Sequence, residues 1–186
     1  MLIEELEIKG AWLIKSAINS DNRGRFREWF KMSPLLEQTG KNFQIAQANM
    51  STSSRGVIRG IHFTNGEAAQ SKYVTCVSGR IFDVIVDIRE DSPTFLKWLS
   101  IDLSEENGLS VLIDKSLGHG FMSLEENSTI AYLVDSSYHP GNEYAINPLD
   151  TKLNISWPNH PKILSKRDST SLTISEHVEI GNLPKL

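Results

Sequence analysis

A handful of side chains in this sequence could move protons or hold an anion, and each also has a plain structural reading. His62 falls near the end of Gly56-Val57-Ile58-Arg59-Gly60-Ile61-His62-Phe63, a largely apolar run in which Arg59 and His62 flank a glycine. A glycine inside a strand pattern often marks a close approach by a ligand or another backbone. A histidine titrates near pH 6.5, so it is a usable base near neutrality; the same segment reads equally as a satisfied structural histidine beside a surface arginine. Lys72 opens the apolar strand Lys72-Tyr73-Val74. It is either a solvated edge charge or, if it points inward beside His62, a cation in a site. His119 stands between Gly118 and Gly120, in a tight turn or against a ligand. Tyr132, in Ile130-Ala131-Tyr132-Leu133-Val134, is a core residue with a satisfied hydroxyl or a proton donor. Asp168 in Leu164-Ser165-Lys166-Arg167-Asp168 belongs to an exposed capped turn, or is the carboxylate that orients a histidine.

A metal is not expected. The five histidines, His62, His119, His139, His160 and His177, form no H-x-H or H-x-x-x-H pair, whereas a metal site in a small barrel takes three or more ligands, at least two of them close in sequence. The single cysteine, Cys76, lies in an apolar run with no basic neighbour to activate it and reads as a small core residue.

The elements that must position these groups are mostly short strands. Ile81–Ile88 alternates Phe82, Val84, Val86 and Ile88 against Asp83 and Asp87, and Lys97–Leu103 alternates Leu99, Ile101 and Leu103 against polar partners and Trp98. Further strands are expected at Val57–Phe63, Lys72–Val77, Ser110–Ile113 and Thr129–Val134, separated by turns such as Ser78-Gly79 and Glu106-Asn107-Gly108. This spacing suggests a sandwich or barrel. One helix is expected with Ser33 as N-cap, Pro34 at its first position and Gly40 at its end, and a second near Ser165. The ends, 1–10 and 170–186, either pair with a partner subunit or are loose.

With 186 residues, 39% hydrophobic and 23% charged, and neither repeat nor linker, residues 1–186 read as one domain with a core of its own. The net charge of −4 and scattered basic residues argue against a nucleic-acid partner. Acidic residues near Met1 do not fit a signal peptide, and no stretch approaches a membrane span. A cytoplasmic protein with no membrane partner is expected.

Several motifs, in order, resemble the dTDP-4-dehydrorhamnose 3,5-epimerase family. They are Asp21-x-Arg23-Gly24-x-Phe26-x-Glu28, the Gly56–Phe63 run, Gln70-x-Lys72-x-Val74, Gly79-x-x-x-Asp83-Val84-x-Val86-Asp87-Ile88-Arg89, Ser92-Pro93-Thr94-Phe95, Gly118-His119-Gly120-Phe121, the strand that carries Tyr132, Tyr138-x-Pro140-x-x-Glu143, Ile155-x-Trp157-Pro158 and Leu164-Ser165-x-x-Asp168. The resemblance implies a mainly β, cupin-like jelly roll (a double-stranded β-helix) with a few short helices, working as a homodimer on a dTDP-sugar without cofactor or metal. It also implies roles: His62 as base, Asp168 as its orienting partner, Tyr132 as acid on the other face of the sugar and Lys72 at the ketone oxygen. Arg23, Phe26, Glu28, Gln47, Asn49, Arg59, His119, Glu143 and Arg167 would line the nucleotide-sugar site, Arg167 standing where many members have lysine.

These residue types suit epimerisation next to a ketone. The C–H there is acidic because the anion spreads onto oxygen as an enolate, so a base must reach the proton and a positive donor the oxygen. Inversion then needs a proton from the opposite face. The readings to be separated are a two-centre epimerase, a single-centre epimerase of a related 4-keto-6-deoxysugar, a non-catalytic nucleotide-sugar-binding cupin and a metal-dependent cupin.

Overall fold

Strand formation follows the period-2 pattern; the inner strands are buried on both faces, while the outer ones leave a face to water. A computed structural model describes residues 1–66, 69–137, 139–159 and 162–185; Tyr138, His160 and part of the stretch 64–69 lie outside them. Six strands form one antiparallel sheet, in the order β1 (Leu2–Glu5), β2 (Ala11–Lys15), β10 (Leu109–Ile113), β7 (Lys72–Ser78), β12 (Ser128–Val134) and β5 (Gln47–Ser53). Five form the second, in the order β13 (Glu143–Ala145), β6 (Ile58–Thr64), β11 (Leu117–Ser123), β8 (Arg80–Asp87) and β9 (Trp98–Ser104). A hairpin of β3 (Ile18–Asp21) and β4 (Gly24–Arg27) stands apart from both.

The apolar residues divide into three layers. Val74, Cys76, Val111, Ile85, Leu103, Phe121 and Ile130 pack between the sheets. Outside the five-stranded sheet, Ile58, Phe63, Val84, Val86 and Met122 meet Ile146, Leu153, Trp157 and Ile174 from the C-terminal part of the chain. Outside the six-stranded sheet, Trp12, Ile14, Tyr73, Leu112 and Leu133 meet Phe43 and Leu35, the latter on helix α1 (Met32–Thr39). Each fully buried aliphatic side chain contributes about 1.5–3 kcal/mol. The protein is thus a mainly β jelly-roll sandwich, and among the described residues no helix is long and apolar enough to cross a membrane.

The alternation expected for β8 holds, with both of its faces buried. Asp83 and Asp87 do not face water; both are fully buried, because the strand's polar face looks toward the other sheet and loops while its apolar face meets the C-terminal layer. Asp87 is saturated there by the Arg89 backbone and guanidinium and by the Ser92 and Thr94 hydroxyls, which hold its carboxyl below the ordinary range against the opposing effect of burial. The Gly118–Phe121 segment is strand, not turn.

The N-cap of α1 is Lys31, not Ser33, and it makes no side-chain cap bond. Helical geometry already holds at Met32, so Pro34 falls third in the first turn, where its missing N–H needs no intrahelical partner. Gly40 does close the helix, left-handed at φ 68°, with its N–H donating to the Leu36 carbonyl. Ser165 caps the four-residue α2 (Lys166–Ser169) as expected. The chain ends are tied down within the chain: β1 pairs with β2, and α3 (Ile174–Glu179) is fixed by a Thr173–Glu176 capping box and by His177, buried against Phe63.

Candidate active site

Arg59 and His62 are three residues apart, a spacing that would put them on opposite faces of a regular strand. A register shift in the β6–β11 pairing, between His62↔His119 and Arg59↔Phe121, brings both to the same side. The shift centres on Gly60, at φ 126° and followed by a cis peptide. Here the two backbones touch: a Cβ on Gly60 would lie 2.5 Å from the Gly120 Cα and 2.8 Å from the His119 carbonyl oxygen. Regular alternation would put Ile58, Gly60 and His62 on one face, and it does not hold here. Ile58 is in the outer apolar layer with Ile61 and Phe63, and His62 faces inward.

His62 and Arg59 open into a cavity of about 210 Å³ between the sheets, which Lys72 from β7, Tyr132 from β12, His119 from β11 and Glu143 from β13 also line. The six-stranded sheet presents its groups by register. Tyr132 lies opposite Asn49 and Val74, and Val134 opposite Gln47 and Lys72, so Gln47, Asn49, Lys72 and Tyr132 share the inward face. Gln47 donates to the Asn49 side-chain oxygen at 2.7 Å. A larger groove of about 520 Å³ near Trp12 and Lys41 contains none of these groups.

His62 Nε2 lies 2.8 Å from Asp168 Oδ1, across 106 residues of sequence. An ionised carboxylate only accepts, so the shared proton sits on Nε2 and Nδ1 is left to take another. Asp168 is nearly buried, held in place because its own N–H caps on the Ser165 hydroxyl at 3.0 Å. Burial pushes its carboxyl up, but the His62 and Ser165 hydrogen bonds and the His62 and Arg167 charges outweigh that and leave it below the ordinary value. Burial, helped by the Glu143 charge and opposed by Arg59, raises the Tyr132 hydroxyl, so it is protonated at neutral pH. Burial lowers Lys72, while the carboxylates of Glu143 and Asp83 pull the other way.

Arg59, in the cavity wall, and Arg167, beside Glu143, are both anchored. Arg59 donates to Ser53 Oγ at 3.0 Å and to the Thr52 carbonyl. Arg167 pairs with Glu143 at 3.0 Å. Arg23, Phe26 and Glu28 are elsewhere. Arg23 and Phe26 line a separate groove on the β3–β4 hairpin, Phe26 is 64% exposed, and Glu28 pairs with Lys31. Sequence reasoning passed over Asp83, which bonds His119 at 2.8 Å, and Ser51, Phe121 and Ile130 in the cavity wall. The signal for Asp83 was an acid in the middle of an otherwise β-branched strand. Among the described residues no group of three or more His, Cys, Asp or Glu side chains is arranged to hold a metal.

Comparison with known proteins places the chain in a family. The family profile described as dTDP-4-dehydrorhamnose 3,5-epimerase matches residues 5–176. The chain is 43% identical over 185 residues to the dTDP-4-dehydrorhamnose 3,5-epimerase of Mycolicibacterium smegmatis, covering 99% of this chain and 91% of that one. It is 41% identical over 180 residues to the dTDP-4-dehydro-6-deoxyglucose 3-epimerase of Streptomyces bikiniensis, covering 96% and 92%. The solved structure of the Mycobacterium tuberculosis rmlC epimerase superposes with a TM-score of 0.96 at 40% identity, covering 100% of this chain and 94% of that one.

Proposed function

The chain belongs to the dTDP-4-dehydrorhamnose 3,5-epimerase family, and from that premise we propose that it inverts C3 and C5 of dTDP-4-dehydro-6-deoxy-D-glucose, giving dTDP-4-dehydro-L-rhamnose. The observation that carries this reading is the placement of His62 and Tyr132 on opposite sheets, facing one cavity. His62 Nδ1 takes the proton from the carbon beside the C4 ketone, the bonding pair moves onto the ketone oxygen as an enolate, and Asp168 stabilises the imidazolium. Lys72 offers the charge that meets the oxyanion. The Tyr132 hydroxyl returns a proton to the opposite face, which inverts the centre. Arg59 and Arg167 supply fork-shaped donors for the diphosphate.

Isotope exchange separates the two roles. His62→Ala should stop deuterium wash-in from heavy water at both carbons, a loss of about 10²–10⁴-fold. Tyr132→Phe should keep wash-in, because His62 can return a deuteron to the face it left, while net inversion falls. Proton NMR of the ketosugar reads both. Wild-type exchange in His62→Ala, or wild-type inversion in Tyr132→Phe, would refute the assignment.

A second reading is inversion at C3 alone. The Streptomyces bikiniensis relative named a 3-epimerase stands at nearly the same identity as the 3,5-epimerase, and the same base and acid serve either outcome. Product stereochemistry at C5 decides between them.

The reading also takes the enzyme as a cytoplasmic homodimer. The exposed β3–β4 hairpin carries Arg23 and Phe26 away from the groups lining their own cavity, an arrangement suited to completing the nucleotide end of a partner's cavity.

A further inference from the structure

Two histidine–carboxylate pairs face the same cavity. In the first, His62 meets Asp168. In the second, His119 Nε2 lies 2.8 Å from Asp83 Oδ2, with His119 only 8% exposed and Asp83 fully buried. The other oxygen, Asp83 Oδ1, is buried without a hydrogen-bond partner. That is an unusual state for a carboxylate, since buried polar atoms are nearly always satisfied. Asp87, four residues along the same strand, shows how this fold treats a purely structural acid: both of its oxygens are filled by Arg89, Ser92 and Thr94. Asp83 is left half-bonded, with His119 on one oxygen and the Lys72 charge within its field.

We infer that Asp83 is a positioning residue that works through His119, fixing the ring with Nε2–H on the carboxylate so that Nδ1 is the atom presented to the sugar. This inference rests on the reading of the His62 cavity as the active site. An ionised carboxylate only accepts, so the ring must donate to it. Nδ1 then faces the cavity, where it accepts from a hydroxyl on the ketosugar and sets the angle at which the sugar's C–H bonds meet His62. The glycines on either side of His119 let this happen at close quarters. A Cβ on Gly118 or Gly120 would come within 2.7 Å of the Ile61 side chain, so the β6–β11 contact that seats the ring depends on both.

The test is a double-mutant cycle with ring-nitrogen NMR. Asp83→Asn keeps shape and removes charge; its amide can also donate to Nε2 and turn Nδ1 from acceptor into donor. Its kcat should fall about 10- to 100-fold, the cost of misaligning a reacting group, with KM changed less than about threefold. In a His119→Ala background, Asp83→Asn should cost nothing more. Losses that multiply, or a loss carried wholly by KM, would overturn the inference. The ¹⁵N spectrum of the unmutated protein needs no variant: His119 should be protonated at Nε2, and a ring protonated only at Nδ1 is the contrary result. If His62→Ala itself turns over normally, the active-site reading fails. If His62→Ala is inactive while the Asp83 and His119 losses multiply, only the role of Asp83 fails.

Discussion

The bond between His62 and Asp168 has a pH dependence whose sign follows from its partners. The Asp168 carboxyl is held below the ordinary carboxylate value in the folded protein. It therefore contributes stability that is fully present above the ordinary range, near pH 4 and higher, and is lost as pH falls through the lowered folded value. Asp168→Asn, which cannot ionise, should show a shallower fall of Tm on acidification than the unmutated protein, as well as weak exchange activity at neutral pH. Equal slopes in the two melting series would mean that Asp168 and His62 are not coupled in solution. His62, Lys72, Tyr132 and Asp168 could be picked out of the sequence because family motifs surround them, although each alone read equally well as structure. Asp83 stood in one of those motifs as well, but its bond to His119 was not legible, because period-2 alternation says which residues share a face and not whether that face meets water or a second sheet.

At the scale of elements, the β6–β11 contact governs which residues reach the cavity. Simple parity placed His62 with Ile58, and the extra residue at Gly60 reversed it. An irregularity of this kind depends on two backbones meeting, so one strand's pattern does not reveal it. Gly60→Ala combines an unfavourable φ with a clash against main chain. It should destabilise the fold by about 2–4 kcal/mol and depress kcat by displacing His62 from Asp168. Gly141→Ala, at an exposed position with nothing within 4 Å of an added Cβ, should stay within about 0.5 kcal/mol. Urea midpoints for the two variants check the contrast; similar midpoints would rule out the packing argument. Strands β6 to β10 and β12 were legible from alternation to within a residue or two, whereas β11 was not, because Gly118 and Gly120 interrupt its pattern. The 18–27 hairpin was not, since its residues are largely polar and exposed. Helix α3 could have been read from Thr173-x-x-Glu176, a capping-box spacing.

For the whole molecule, the consequence of the proposed dimer is that a site belongs to two chains. A chain carrying Arg23→Ala/Phe26→Ala keeps a sound cavity, and a chain carrying His62→Ala keeps a sound hairpin. If each hairpin serves the partner, mixing the two inactive proteins under conditions of subunit exchange should restore about a quarter of wild-type sites, since half the dimers are mixed and one site in each is intact. If each hairpin serves its own chain, mixing restores none. The lone thiol makes the geometry measurable by a separate route. Cys76 is buried between the sheets, and burial pushes its thiol up to about 11, so only about one molecule in ten thousand carries the thiolate at pH 7. A cysteine placed at the exposed hairpin turn, Asn22→Cys, would be the only position a maleimide could label. The native sequence thus already supplies the silent background that distance spectroscopy with a dye or spin label requires.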